Sequence, residues 1–301
     1  MKKVLVVVGP TAVGKTKTAI ELAKHYNAEI ISGDSVAIYK RLDIGSAKPT
    51  KEEMDGVKHY LIDIIDPATE YSVKDFQEAA RKIIDSSDDL KIISGGTGLY
   101  VQSVLYNYEF NASKRDFDYE EKYKDYSNDE LYSLLLELDP NVDKNKIHPN
   151  NRKRVLRAIE VKQELNQSIH SFNKKNERVY DYFIVYLSME RNKLYERIEK
   201  RVDMMFDEGL LAEVKSLYDD KIYPHAIGYK ELLPYFDGLI TLDTAKDEIK
   251  KNTRHLAKRQ ETWFKNQMDT HFYDAREDKH DEMLKQIISD IDRWLESWKY
   301  I

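Results

Sequence analysis

An α/β fold is predicted, a parallel sheet flanked by helices and interrupted by a mainly helical insertion, and three observations carry that prediction. Short apolar runs alternate with helix-period segments through the first third of the chain. Three of those runs, Val4 to Val8, Glu29 to Ser32 and Lys91 to Ser94, lead directly into glycine-containing turns. The alternation stops near Asn111 and resumes with Tyr182-Phe-Ile-Val-Tyr-Leu187, which divides the chain into a core of residues 1–112 and 181–301 and an insertion of residues 113–180.

The first run leads into Gly9-Pro-Thr11-Ala12-Val13-Gly14-Lys15-Thr16. Its Gly-x4-Gly-Lys-Thr spacing matches a loop whose backbone N–H groups cradle phosphate, with Lys15 reaching the outer phosphates and the Thr16 hydroxyl placed for Mg²⁺. The helix that follows, Thr16 to Tyr26, adds its dipole and unpaired N–H groups to the same anion site. Strand, loop and helix together specify a P-loop NTPase-like sheet. Glu29-Ile-Ile-Ser32 delivers Asp34 beyond a strand end, where ligands of open α/β sheets sit. His59 to Ile65 reads as a further strand or edge. Ser72-Val-Lys-Asp75 then opens a helix with a capping pattern that runs to about Ser86. Lys91-Ile-Ile-Ser94 ends in Gly95-Gly-Thr97-Gly98, a second glycine turn at the same end of the sheet, where backbone or the Thr97 hydroxyl approaches a ligand closely.

Within the insertion, Ser127-x-x-Glu130 is a capping box before Leu131, Leu134, Leu135 and Leu138, and Asp139-Pro140 stops that helix. After His148-Pro-Asn150 a second helix carries Val155, Ala158 and Ile159 on one side and Lys153, Arg154 and Arg157 on the other. In the returning core, Leu194, Ile198, Val202 and Met205 share one helix face. Asp243 to Asn266 buries Ile249, Thr253, Leu256, Gln260, Trp263 and Phe264, and turns Lys251, Arg254, Lys258 and Lys265 outward.

A net charge of −6 argues against a general nucleic-acid binder, yet the charge is unevenly spread. Between Lys146 and Arg178 nine Lys/Arg stand against three Glu, whereas Asp269 to Ile301 holds nine Asp/Glu against five Lys/Arg, so an acidic tail masks a basic middle. The two basic helix faces are therefore candidate polyanion surfaces. The absence of cysteine excludes disulfides and thiolate metal sites. The histidines never fall at zinc-helix spacing. No apolar run approaches a membrane span or a signal segment, so a cytoplasmic protein is expected, with no membrane and no obligate protein partner. Trp294 and Trp298 lie in a tail segment read as an amphipathic helix that is expected to pack on the core.

A phosphate loop most often belongs to a kinase or NTPase, which needs a second strand ending in a carboxylate for Mg²⁺. Here that strand ends in glycine. Asp34, with Asp63 and Asp66 as weaker candidates, is left as metal ligand or base, and the pattern leaves both roles open.

The motif blocks taken together resemble the tRNA dimethylallyltransferase family. They are Gly9 to Thr16, Ser32 to Pro49, Gly95 to Tyr100, His148-Pro-Asn150, Arg154 to Glu160, Ala226 to Glu231 and Thr253 to Phe264, in the family's order from residue 9 to about 265. The resemblance implies transfer of a dimethylallyl group from dimethylallyl diphosphate to the exocyclic amine of the adenine 3′ of the tRNA anticodon. It implies that Gly9, Thr11, Ala12, Val13, Gly14, Lys15 and Thr16 hold the leaving diphosphate, with Mg²⁺ at Thr16. Asp34 matches the family's general base and Thr97 the hydroxyl that helps hold the amine, while Ser35, Val36 and Ala37 follow in the segment that contacts the target nucleotide. Lys153, Arg154 and Arg157, with Arg254 and Lys258, are expected at the anticodon stem-loop backbone. Ala37, His255 and His225 stand where other members carry Gln, Gln and Arg, which leaves His225 or Lys230 as the cation for the diphosphate. The alternatives are a small-molecule or nucleotide kinase, a non-enzymatic RNA-binding protein, and prenylation of free adenine nucleotides, which would have little use for the basic insertion.

Overall fold

A computed structural model describes residues 1–108, 118–169 and 177–297. Asn111, Lys174, Lys175 and Trp298 lie outside the described residues. The core begins with β1 (Lys3–Val8), α1 (Lys15–Tyr26), β2 (Glu29–Ser32), α2 (Lys51–Met54), β3 (His59–Tyr60), α3 (Val73–Asp85), β4 (Lys91–Gly95) and α4 (Gly98–Leu105). The insertion contributes α5 (Asp118–Lys122), α6 (Asn128–Leu138) and α7 (Arg152–Leu165). The core then resumes with β5 (Asp181–Ser188), α8 (Arg191–Asp207), α9 (Leu210–Asp219), α10 (Leu233–Phe236), α11 (Leu242–Gln267), β6 (His271–Asp274) and α12 (His280–Glu296).

The six strands form one sheet in the order β3-β2-β4-β1-β5-β6, and every pairing is parallel. Val4 to Val8 are fully buried, as an uninterrupted apolar run in the middle of a parallel sheet must be when both faces are covered. Leu5 and Val7 share an apolar cluster with Ala19, Leu22 and Ala23 of α1 and with Met283, Ile287 and Ile291 of α12. The P-loop NTPase-like class is thus realised, with a sheet one strand wider than the apolar runs announce. β6 escapes periodicity because His271 and Phe272 are exposed and the strand has four residues.

Two expectations change in detail. The strand read over His59 to Ile65 shrinks to the two residues of β3, because Leu61 and Asp63 take left-handed φ values of 58° each and break the extended run. The chain divides into a unit of residues 1–105 with 179–301 and a unit of residues 106–178. That seam sits several residues earlier than the change of pattern at Asn111, since α4 carries the core on to Leu105 and the Val179 N–H closes onto the Leu105 carbonyl at 2.9 Å.

The second unit has its own core, in which Leu131 and Leu135 of α6 meet Val155, Leu156 and Ile159 of α7, with Tyr119 of α5 and Tyr123 just after it against them. The capping box of Ser127 and Glu130 is formed. Among the described residues no helix is long and apolar enough to cross a membrane.

The acidic tail is structural through α12. Trp294 donates to Asp181 at 3.3 Å, and the Lys3 ammonium donates to the carbonyls of Trp294 and Leu295 at 3.3 and 2.9 Å. Ile287→Ala, which opens a cavity at a fully buried position, is expected to cost about 2–5 kcal/mol in denaturant unfolding. Lys285→Ala on the exposed side of the same helix should stay within about 0.5 kcal/mol.

Candidate active site

The loop between β1 and α1 departs from ordinary backbone conformations. Gly14 caps α1 at φ 106°, and Ala12 sits at φ 65°, where a side chain costs roughly 1–2 kcal/mol. Strain of this kind persists where the surrounding structure holds a loop in a working shape. At its end the Lys15 side chain is half-buried, and its ammonium donates to the Pro10 carbonyl at 2.8 Å. Burial lowers its pKa to about 8, opposed by the nearby Asp34 carboxylate and reinforced by the Arg201 guanidinium. A polyanion bound in the loop would push it back up.

Asp34 emerges two residues after β2. Its Oδ1 accepts hydrogen bonds from the N–H groups of Val36 at 2.8 Å and Ala37 at 3.2 Å. This local turn fixes the carboxylate, and Oδ2 has no hydrogen-bond donor among the described residues. The Ser35 N–H donates to Thr97 Oγ1 at 3.2 Å, and the Thr97 hydroxyl lies 3.3 Å from Ser35 Oγ. The turns after β2 and β4 touch directly: Gly33 donates to the Ser94 carbonyl at 2.8 Å, and a Cβ on Gly95 would fall 2.3 Å from the Gly33 backbone. Only bare backbone permits that approach.

Thr11, Lys15, Thr16, Ser32, Asp34, Ala37, Ser94 and Gly95 line one cleft, which Arg201 of α8 enters from the side. Burial lowers the Arg201 pKa from its ordinary value, while Glu53 and Asp34 hold it up. Two desolvated cations, a helix N-terminus and one half-buried carboxylate are the equipment to grip a polyphosphate and remove a proton beside it. A larger groove of about 420 Å³, lined by Arg191, Tyr195, Lys258 and Glu261 among others, lies away from these groups.

The family model described as IPP transferase matches residues 37–267. The chain belongs to this family. A tRNA dimethylallyltransferase of Anoxybacillus flavithermus is 47% identical over 286 residues, 92% of each chain. The tRNA isopentenylpyrophosphate transferase structure from Bacillus halodurans superposes with a TM-score of 0.76 at 42% identity, covering 99% of this chain and 98% of that one. A eukaryotic dimethylallyltransferase described as acting on tRNA gives a TM-score of 0.84 at 28% identity, over 99% of this chain and 80% of its own.

In this member of the IPP transferase family, an enzyme family of prenyltransferases, the motif from Ser32 to Pro49 forms a strapped loop whose Ser46, Ala47 and Pro49 also line the cleft. Glu213 of α9 accepts the N–H groups of Asp43, Ile44 and Gly45 at 3.1, 2.8 and 3.1 Å, and the Tyr229 hydroxyl donates to it at 2.7 Å. A Cβ on Gly45 would meet the Tyr229 ring at 2.6 Å, so the Ile-Gly-Tyr turn braces this loop. Its neighbour His225 is exposed, Lys230 lies 3.8 Å from Glu231, and neither lines the cleft. Arg201, together with Lys15, lines it instead. Periodicity passed over it, although a charge one residue from buried Val202 and three from buried Ile198 was the available sign.

The residues expected at RNA are differently engaged. Lys153 and Arg154 are exposed on α7, and Arg154 donates to the Lys146 carbonyl at 3.1 Å. Arg157 departs from the outward face read for it: it is half-buried and lies 2.7 Å from the buried Glu160. On α11, Arg254 pairs with Glu199 at 2.6 Å, Lys251 with Glu248 at 3.0 Å and Lys265 with Glu261 at 2.6 Å, so that basic face is largely neutralised. Lys258 stays exposed beside the larger groove. Arg201→Gln is expected to weaken inorganic diphosphate binding in calorimetry about 10–100-fold, the value of a charge-assisted contact. His225→Gln should leave it unchanged.

Proposed function

We propose that this chain transfers a dimethylallyl group from dimethylallyl diphosphate to the N6 amine of the adenine 3′ of the anticodon in tRNA. The observation that carries the reading is that Asp34 opens onto the same cleft as Lys15, Thr16 and Arg201, so a base stands beside a phosphate grip. Relatives named tRNA dimethylallyltransferase, and a structural relative described as acting on tRNA, support the substrate.

The amine nitrogen attacks the allylic carbon, and the bond from that carbon to the bridging oxygen breaks, with its electron pair leaving on diphosphate. Charge grows on the phosphate oxygens, where the loop N–H groups, Lys15 and Arg201 are already oriented and desolvated. As the nitrogen becomes positive its proton passes to Asp34 Oδ2, while Oδ1 stays held by Val36 and Ala37. The Thr97 hydroxyl, bonded to Ser35, is suited to orient the same amine. The oxygen donors of the cleft suit Mg²⁺: Thr16 and Asp34 both line it, and Mg²⁺ commonly takes one or two protein oxygens plus phosphates and water. Thr16 would hold it, and it would add positive charge at the leaving group.

To reach Asp34 the adenine must leave the anticodon-loop stack, as base-modifying enzymes require. Lys153 and Arg154 are proposed to meet backbone phosphates, with Arg157, Arg254 and Lys258 as further candidates whose present partners would have to yield where they have one.

Incubation with Mg²⁺, dimethylallyl diphosphate and an anticodon stem-loop, followed by mass spectrometry, should give RNA heavier by one C5H8 unit. Asp34→Asn keeps the local turn and should slow transfer about 10²–10⁴-fold with stem-loop affinity retained. ATP turnover without a mass gain would instead favour the kinase reading. Arg154→Ala should weaken all tRNAs alike and reduce the slope of log K against log salt by about 1. An unchanged slope would return Arg154 to an ordinary solvated face.

A further inference from the structure

Helix α11 places one amide between the two halves of the cleft. Gln260 Oε1 accepts the Thr11 N–H at 2.8 Å, and its Nε2 donates to the Gly96 carbonyl at 3.1 Å. One side chain therefore ties the phosphate loop after β1 to the glycine turn after β4. Space is reserved for it: a Cβ on Gly96 would lie 2.2 Å from Gln260 Nε2, and a Cβ on Gly98 would lie 2.1 Å from the ring of Trp263, one helical turn along. Gly96 has no left-handed φ, so its missing side chain serves the amide rather than the backbone.

Periodicity alone counts Gln260 with the buried stripe of Ile249 and Phe264. An amide in such a stripe needs partners for both its donor and its acceptor. The apolar alternatives Leu or Met would satisfy the packing at lower cost. Here both ends of the amide are spent on backbone of the two loops that carry the chemistry.

We infer that Gln260 is a positioning residue for prenyl transfer, which sets the separation between the diphosphate held at Thr11 and the amine held at Thr97 and Asp34. The inference rests on the proposed function. The linkage runs through direct contacts: Gln260 to Gly96, then Thr97, whose Oγ1 accepts the Ser35 N–H beside Asp34. Displacement at carbon needs nitrogen, carbon and leaving oxygen in line, and misplacement by about 1 Å costs on the order of 10²-fold. Each substrate still has its own binding contacts when the tie is lost. The effect therefore falls on kcat.

Gln260→Met keeps the side-chain length and removes both hydrogen bonds. Single-turnover and steady-state transfer, expressed per folded molecule, are measured beside the melting temperature. The expected result is a kcat lower by about 10–100-fold, with KM for dimethylallyl diphosphate changed less than about threefold and the melting temperature within about 4 °C. Gly96→Ala, whose Cβ displaces the same amide, should lose a similar amount, and the double variant should lose no more than either alone. Unchanged kcat per folded molecule in Gln260→Met, a loss carried by KM alone, or additive losses in the double variant would overturn the inference. Absence of transfer by the wild-type protein would overturn the proposed function instead, before any variant is read.

Discussion

The register of β4 between β1 and β2 is the constraint on which the site depends. Val8 lies opposite Gly95 across one pairing, and Ser32 opposite Ser94 across the other, so three strands end level at one edge of the sheet. The chain leaves each of those ends as a phosphate loop, an Asp34 turn and a Thr97 turn. A slip of one residue in β4 would send its side chains to the opposite face and carry Thr97 away from Ser35. The apolar runs that bury these strands on both faces are therefore also what aligns the proposed chemistry.

Around that edge the protein concentrates unfavourable electrostatics. Burial lowers the pKa of both Lys15 and Arg201, the Arg201 guanidinium lowers that of Lys15 further, and Asp34 is the carboxylate that holds both up. Taken alone such an arrangement destabilises the fold. It becomes favourable once a polyanion enters, and a preoriented, dry set of donors acts most strongly on charge that develops during reaction. The braces around the cleft serve the same end: Glu213 and Tyr229 hold residues 43–45, and Gln260 holds the phosphate loop to the second glycine turn.

Much of this was legible in one dimension because it is locally encoded. The phosphate loop, the Asp34 turn and the capping boxes of α3 and α6 each depend on residues within a few positions of one another. Periodicity likewise yields β1, β2, β4 and β5 with near-correct ends. β6, α9 and α10 were not read, since they are short or half-exposed, whereas α12 was read as an amphipathic helix without its bounds. The basic face of α11 shows the opposite failure: counting Lys and Arg along one helix cannot register the Glu199 that α8 supplies to Arg254.

Residue types and spacing were enough to state that a phosphate-loop motif follows β1, that Asp34 and Thr97 stand at the same sheet edge, and which family the chain resembles. Those are contacts between near neighbours, or consequences of strands running parallel. Arg201, Glu213 and Gln260 reach the loops from sequence separations of 164 to 249 residues in the contacts that matter most, as in Gln260 to Gly96 and to Thr11. A local pattern can hint that such a side chain is turned inward, as at Arg201, but not which loop it meets, because that is chosen by how helices pack on the sheet. The phosphate-loop motif could be read at the outset, whereas the Arg201 cation in its cleft and the amide that ties it to the second glycine turn became visible only when α8 and α11 were folded against the strand ends.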